Sequence, residues 1–198
     1  MYSSLTSTRK LGSITRNLIW QSALLMVLLA CGCASTDQRP ANIPTNDVPD
    51  DLRVNGRIVA AVHATGFQVY TAKADATGKL AWTLKAPDAT FDDGMELKGK
   101  HYAGPTWESD SDGSKVVAKK LSEHASPTAG AVPWLLLEAV RHEGKGIMSD
   151  VTFIQRIHTA GGKAGGIGDA KAGDESRVAY TADYIFYGPG ATTRPAMP

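Results

Sequence analysis

From about residue 57 onward the apolar positions recur with period two or fall in short unbroken runs, and clusters of Gly, Pro and Asp separate them. That pattern predicts strands in place of helices. Ile58, Val59, Ala60, Ala61 and Val62 follow one another directly, as expected of a strand buried on both faces. Residues 66–72 alternate, with Phe67, Val69 and Thr71 on one side and Gln68 and Tyr70 on the other. Leu80, Trp82, Leu84 and Ala86 share a face of the next strand. Between these two, 73–79 carries Asp75 and Gly78 and reads as a hairpin loop. A strand over 115–121 follows the turn residues Asp110, Ser111, Asp112 and Gly113. Val178, Tyr180, Ala182, Tyr184 and Phe186 give the cleanest alternation in the chain.

The stretch 134–143 fits two patterns. Pro133 would open a short helix striped by Leu136 and Val140. Against that, 134–143 and 147–159 are runs of similar length on either side of Gly144-Lys145-Gly146, and in the second Val151, Phe153, Gln155 and Ile157 alternate with Thr152, Ile154, Arg156 and His158. Two such runs about a Gly-containing turn predict a hairpin, so strand is favoured. The fold class expected is therefore mainly β: an antiparallel sandwich or barrel of about eight short strands with few or no helices.

The N-terminus follows different rules. Residues 1–17 are polar and carry Arg9, Lys10 and Arg16; the 13-residue run 18–30 is apolar and ends Leu28-Leu29-Ala30-Cys31. A basic start, a short apolar run and a small residue before the junction have the order of a secretory signal. The run is shorter than the roughly 20 residues a membrane-spanning helix needs. Leu-Leu-Ala-Cys resembles the lipobox of bacterial lipoproteins, which implies lipidation of Cys31 with acyl chains of the palmitate kind. It implies a bacterial envelope location, and Gly32 after Cys31, where an Asp would favour inner-membrane retention, points to the outer membrane facing the periplasm. Expected boundaries are a signal peptide at 1–30, lipidated Cys31 and a Pro-containing tether at 31–50, the β-domain at 51–187 and a Gly/Pro/Thr-rich tail at 188–198.

Composition adds two exclusions. The chain carries 21 Lys+Arg against 20 Asp+Glu, and without the three basic residues of the leader the balance is 18 against 20, so a nucleic-acid partner is not expected. Both cysteines, Cys31 and Cys33, lie at the leader junction. The domain must be held by an apolar core without a disulfide.

Candidate chemistry is sparse. The run 161–168 is Gly-rich, but Lys163 is followed by Ala164 and a strand comes next, so neither a Walker loop nor a dinucleotide fingerprint is present. It reads as a loop between strands. Asp88, Asp92, Asp93, Glu108, Asp110 and Asp112 fall largely in turns, where Asp is expected for backbone reasons. His63, His101, His124, His142 and His158 follow no known ligand spacing, yet His63 and His101 fall at predicted strand ends where side chains converge. The densest segment is Lys100-His101-Tyr102-Ala103-Gly104-Pro105-Thr106-Trp107-Glu108, which sets an imidazole, a phenol, an indole and a carboxylate around a Gly-Pro corner. Such a corner lines a pocket or caps the core.

These residues resemble a family, DUF3455, a domain of unknown function found in bacterial envelope proteins and in fungi. The resemblance covers approximately 50–187. It rests on Gly66-Phe67-Gln68-Val69-Tyr70, Trp82 with Ala86-Pro87-Asp88-Ala89-Thr90, the string 101–108, Asp112-Gly113-Ser114, Val132-Pro133-Trp134-Leu135-Leu136-Leu137, Ile154-Gln155-Arg156 with Thr159-Ala160-Gly161-Gly162, and Tyr180-Thr181-Ala182-Asp183-Tyr184. It implies a β-domain without an assigned activity. A malate dehydrogenase label on some fungal members does not carry over, because the dinucleotide fingerprint is missing. Relatives often have a cysteine pair where this chain has Ala72 and Gly168, which implies a structural bridge absent here.

Two functions are expected on these grounds. The first is a non-enzymatic, lipid-anchored binding module for a small molecule or an envelope partner, without a cofactor, recognising its ligand through His101, Tyr102, Trp107 and Glu108 with Gln155 and Arg156 nearby. On that expectation Trp107→Ala removes binding and leaves the unfolding midpoint nearly unchanged. The alternative is an enzyme dependent on a divalent metal held by His63 and His101 with Glu108 or Asp88.

Overall fold

A computed structural model describes residues 43–193 of the chain. The lipobox-like string, Cys31 and the signal-like run lie outside those residues. Ten strands occur in the order β1 (Val54–Asn55), β2 (Ile58–Ala74), β3 (Leu80–Asp92), β4 (Lys98–Tyr102), β5 (Thr106–Ser109), β6 (Lys115–His124), β7 (Trp134–Glu143), β8 (Phe153–Gly161), β9 (Glu175–Tyr187) and β10 (Thr192–Thr193). Among the described residues the two non-strand elements are single 3-10 turns, Asp50–Leu52 and Ile147–Asp150. Strands β2 to β9 pair antiparallel, each with the next, and β9 returns to β2 to close a barrel. Closure leaves those eight strands without a free edge. Of the two architectures the alternation allowed, the chain adopts the barrel.

Turn chemistry sets the connections. In the β2–β3 loop the Asp75 carboxylate accepts the backbone N–H of Thr77 and Lys79 and the Thr77 hydroxyl. Asp93 repeats the device between β3 and β4 for Met95 and Leu97, and Asp112 accepts the N–H of Ser114 before β6. Asp92, Asp93 and Asp112 thus serve the backbone, as expected of Asp in turns.

Three elements differ from the sequence pattern. The runs 57–63 and 66–72 are one 17-residue strand, because β2 pairs along its length with both β3 and β9 and bends at a bulge at Val69/Tyr70 without breaking. The strands are therefore not uniformly short; β3 and β9 have 13 residues each. The dense segment 100–108 is a tight hairpin of β4 and β5, with His101 opposite Trp107 and Lys100 opposite Glu108. The β7–β8 connection is longer than a Gly-Lys-Gly turn: a 3-10 turn at Ile147–Asp150 intervenes, and only Leu135–Glu138 pair with Phe153–Arg156. Trp134–Glu143 itself is a strand, as favoured above.

Alternation along each strand divides the buried residues into two cores. The barrel interior holds Ala60, Val62, Ala64, Phe91, Trp107, Val116, Leu137, Ile154, Tyr180, Ala182, Tyr184 and Phe186. Small residues on β2 make room for the aromatics of β3, β5 and β9. Gly66 belongs to that set, since a Cβ there would come within 3 Å of Ala89. The second core lies on the outer face of the wall, where Ala61, Trp134, Leu136, Ile157, Ile185 and Tyr187 are covered by Val48 and Leu52. Val48 is only 2% exposed. Residues 43–50, expected in the tether, therefore lie on the barrel wall, and at the other end β10 pairs with β1. Each fully buried Leu, Ile or Phe contributes roughly 1.5–3 kcal/mol by leaving water.

Candidate functional site

Each of the eight barrel strands sends at least one side chain to a single interior cavity of about 250 Å³: Gln68 from β2, Leu84 and Pro87 from β3, His101 from β4, Trp107 from β5, Lys120 from β6, Leu135 and Leu137 from β7, Arg156 from β8 and Tyr184 from β9, with Pro105 from the β4–β5 turn. Leu84 and Lys120 are exposed, so this end of the barrel meets solvent. The walls are mostly apolar, and the polar groups among them are few.

Aromatic packing fixes the deeper wall. The His101 ring stacks on Trp107 at 4.1 Å between centroids and 11° between planes, and both rings make T-shaped contacts with Tyr184. His101 Nδ1 lies 2.9 Å from the Thr106 carbonyl, which defines Nδ1 as the protonated nitrogen of a neutral ring. Burial pulls its pKa down to about 3, with the Arg156 charge acting in the same direction and the Thr106 carbonyl opposing. Nε2 is left with a lone pair and no partner among the described residues.

Two further polar atoms in this wall are unsatisfied. Gln68 Nε2 and Trp107 Nε1 are buried with no partner within hydrogen-bond distance. A buried donor without an acceptor costs about 1–3 kcal/mol, so such groups call for a reason. Arg156 is the third unusual group. Its Nε and Nη2 both donate to the Pro133 carbonyl, at 3.1 and 2.7 Å, and no carboxylate among the described residues pairs with it. Burial raises the Tyr184 hydroxyl pKa, partly offset by this guanidinium.

The six residues expected at the recognition corner are divided by strand alternation. His101, Trp107 and Arg156 meet in the cavity. Tyr102 and Glu108 are on the outer face, where the Tyr102 hydroxyl donates to Glu108 Oε2 at 2.7 Å and Lys115 pairs with the same oxygen at 3.2 Å. These partners hold the Glu108 carboxyl below its ordinary pKa. Gln155 sits in the outer core, donating to the Leu52 carbonyl at 2.6 Å and accepting from Tyr187. Trp107 is at once a cavity wall and a core residue, 1% exposed, so Trp107→Ala is expected to cost stability as well as binding.

The divalent-metal arrangement is separated in the same way. His63 points outward and pairs with Asp183 at 2.8 Å; His101 points inward; Asp88 pairs with Arg177 on the outside. The barrel wall lies between the two histidines, and no group of three His, Cys, Asp or Glu side chains among the described residues is arranged to hold a metal. The other imidazoles are also engaged: His158 with Asp183 and Asp47, His124 with Asp51, His142 with the Val151 carbonyl.

Sequence reasoning did not assign Gln68, Tyr184, Leu135, Leu137 or the mouth residues to the site. A signal was present for the first: Gln68 continues the inward set Ala60, Val62, Ala64, Gly66, where a polar side chain is out of place. The Gly-rich segment after β8 is a loop, as expected, and it is tied down by the Tyr70 hydroxyl on the Gly162 carbonyl and Trp82 Nε1 on the Gly166 carbonyl.

The fold and the cavity define a closed, eight-stranded up-and-down β-barrel with a pocket at one end. Residues 92–188, from the end of β3 to just past β9, match the sequence model of a family described as a protein of unknown function, DUF3455. No curated protein and no solved structure matches.

Proposed function

We propose that this protein is a lipid-anchored envelope protein whose barrel binds a small molecule in the β2–β9 cavity, as a binding module and not as an enzyme. The observation that carries the reading is the convergence of all eight strands on one largely apolar cavity in which Gln68 Nε2 and Trp107 Nε1 lack partners. Barrels of eight strands are just wide enough to hold one small ligand. The cavity offers no Ser, Thr or Cys nucleophile. Its single imidazole, with a pKa near 3, is far too weak a base for proton abstraction at neutral pH.

The test compares native and denaturing mass spectra of the full chain purified in a neutral detergent, without added ligand. A non-covalent mass present only in the native spectrum, and lost in Leu137→Trp, is expected. Equal masses in both spectra, together with no change in tryptophan fluorescence across a panel of small metabolites, would count against it. The anchor is supported by the lipobox-like string at 28–31. Cys31→Ala should abolish incorporation of labelled palmitate and move the protein from the membrane fraction into the soluble periplasmic fraction.

A further inference from the structure

We infer that the ligand of this cavity is a small organic carboxylate with an apolar body, its carboxylate held by Arg156 and the Gln68 amide. The inference rests on the binding-module reading above and specifies its ligand class.

Charge is the first argument. The ionisable side chains lining the cavity are cationic or neutral: Arg156, Lys120, His101 and Tyr184, with no Asp or Glu among them. At the mouth Lys120 already has a partner, Glu123 at 2.6 Å. Arg156 donates twice to the Pro133 carbonyl and lies against the Tyr184 hydroxyl, neutral partners that leave its charge without a counter-ion among the described residues. A guanidinium removed from water without a counter-charge is costly, and arginine presents a planar set of donors suited to a carboxylate.

Donor excess is the second argument, independent of charge. Gln68 Nε2 and Trp107 Nε1 are N–H groups with nothing to donate to. A ligand that satisfies this wall must bring acceptor oxygens, and a carboxylate brings two, each able to take more than one hydrogen bond. Gln68, Arg156 and Trp107 lie on β2, β8 and β5, so the donors approach from different sides of the barrel.

Size and polarity supply the remainder. A cavity of about 250 Å³ admits the body of a short-chain or single-ring acid. Leu84, Pro87, Leu135 and Leu137 provide the surface for the apolar body.

The test titrates the full chain in neutral detergent with benzoate and hexanoate and with their uncharged counterparts benzamide and hexanamide, read by tryptophan fluorescence and by thermal shift. At least one carboxylate should bind roughly tenfold or more tightly than its amide, the difference that one charge-assisted hydrogen bond supplies. Arg156→Gln should bring the acid down to the affinity of the amide while leaving the amide unchanged. Should Arg156→Gln fail to fold because Pro133 loses its latch, Gln68→Leu serves instead, with a several-fold loss for the acid alone. An amide that binds as well as its acid, or a folded Gln68→Leu that keeps full affinity for the acid, overturns the carboxylate while leaving the cavity reading intact. Absence of binding by acids and amides alike, with no co-purifying mass, overturns both.

Discussion

Two glutamines of the barrel wall, each 1% exposed, are treated in opposite ways. Gln155 faces outward into the core formed with the N-terminal segment, and both ends of its amide are satisfied, by the Leu52 carbonyl and the Tyr187 hydroxyl. Gln68 faces inward and its nitrogen donates to nothing. The outer core thus satisfies its buried amide, which fixes where 43–55 docks, and leaves Trp134 Nε1 as its buried donor without a partner. The inner core keeps buried donors and a lone guanidinium beside a cavity, a state that an apolar protein interior does not favour unless something fills it.

The largest effect that would separate the two regions is Trp107→Ala. Removing an indole packed against His101, Tyr184 and Phe186 should cost about 3–5 kcal/mol in denaturant unfolding of the full chain. A loss below about 1 kcal/mol would mean that the inner core tolerates emptying and is not a packed wall.

Acid comes next. In the folded chain His101 takes a proton only near pH 3, whereas in the unfolded chain it does so near its ordinary 6.5, so acid favours the unfolded state. Its contribution to stability is complete above about pH 6.5 and drains away as pH falls towards 3, at up to about 1.4 kcal/mol per unit, or about 2 kcal/mol by pH 5. His101→Phe, which keeps a flat ring on Trp107, should show a shallower pH dependence over that window. Identical slopes in the two proteins would show that His101 titrates in the folded state.

The glutamines themselves give a smaller and sharper contrast. Gln155→Leu should cost roughly 1–2 kcal/mol, because the Leu52 carbonyl and the Tyr187 hydroxyl lose their partner, whereas Gln68→Leu should leave the unliganded protein unchanged or slightly more stable. Equal losses at both positions would erase the distinction between the cores. The smallest effect belongs to the outer face of the dense hairpin: Glu108→Gln should move the unfolding midpoint little, since Gln keeps an oxygen to accept from Tyr102 and a pair with Lys115 at the surface is worth little.

The comparison also explains what could be read from the chain. Alternation in 178–186 and the apolar run 58–62 announced strands, and Asp75, Asp93 and Asp112 announced turns, because both signals are local: a period of two and a short side chain folding back on its own backbone. The candidate site was half legible. Residue types at 100–108 marked it, but strand alternation sends His101 and Trp107 inward and Tyr102 and Glu108 outward, and which parity faces in depends on closure of the barrel. Arg156 and Gln155 are neighbours in sequence on opposite sides of the wall for the same reason.

By itself the sequence determined the all-β class, the positions of most turns, the absence of a disulfide in the domain and the resemblance to DUF3455 that the family model matches over 92–188. Closure into a barrel was decided by tertiary structure, because β9 returning to β2 joins segments more than a hundred residues apart and leaves no local trace. The cavity was decided there too. Its lining is one residue or two from each of eight strands, brought to one level by register, and register is set only when every neighbour is in place.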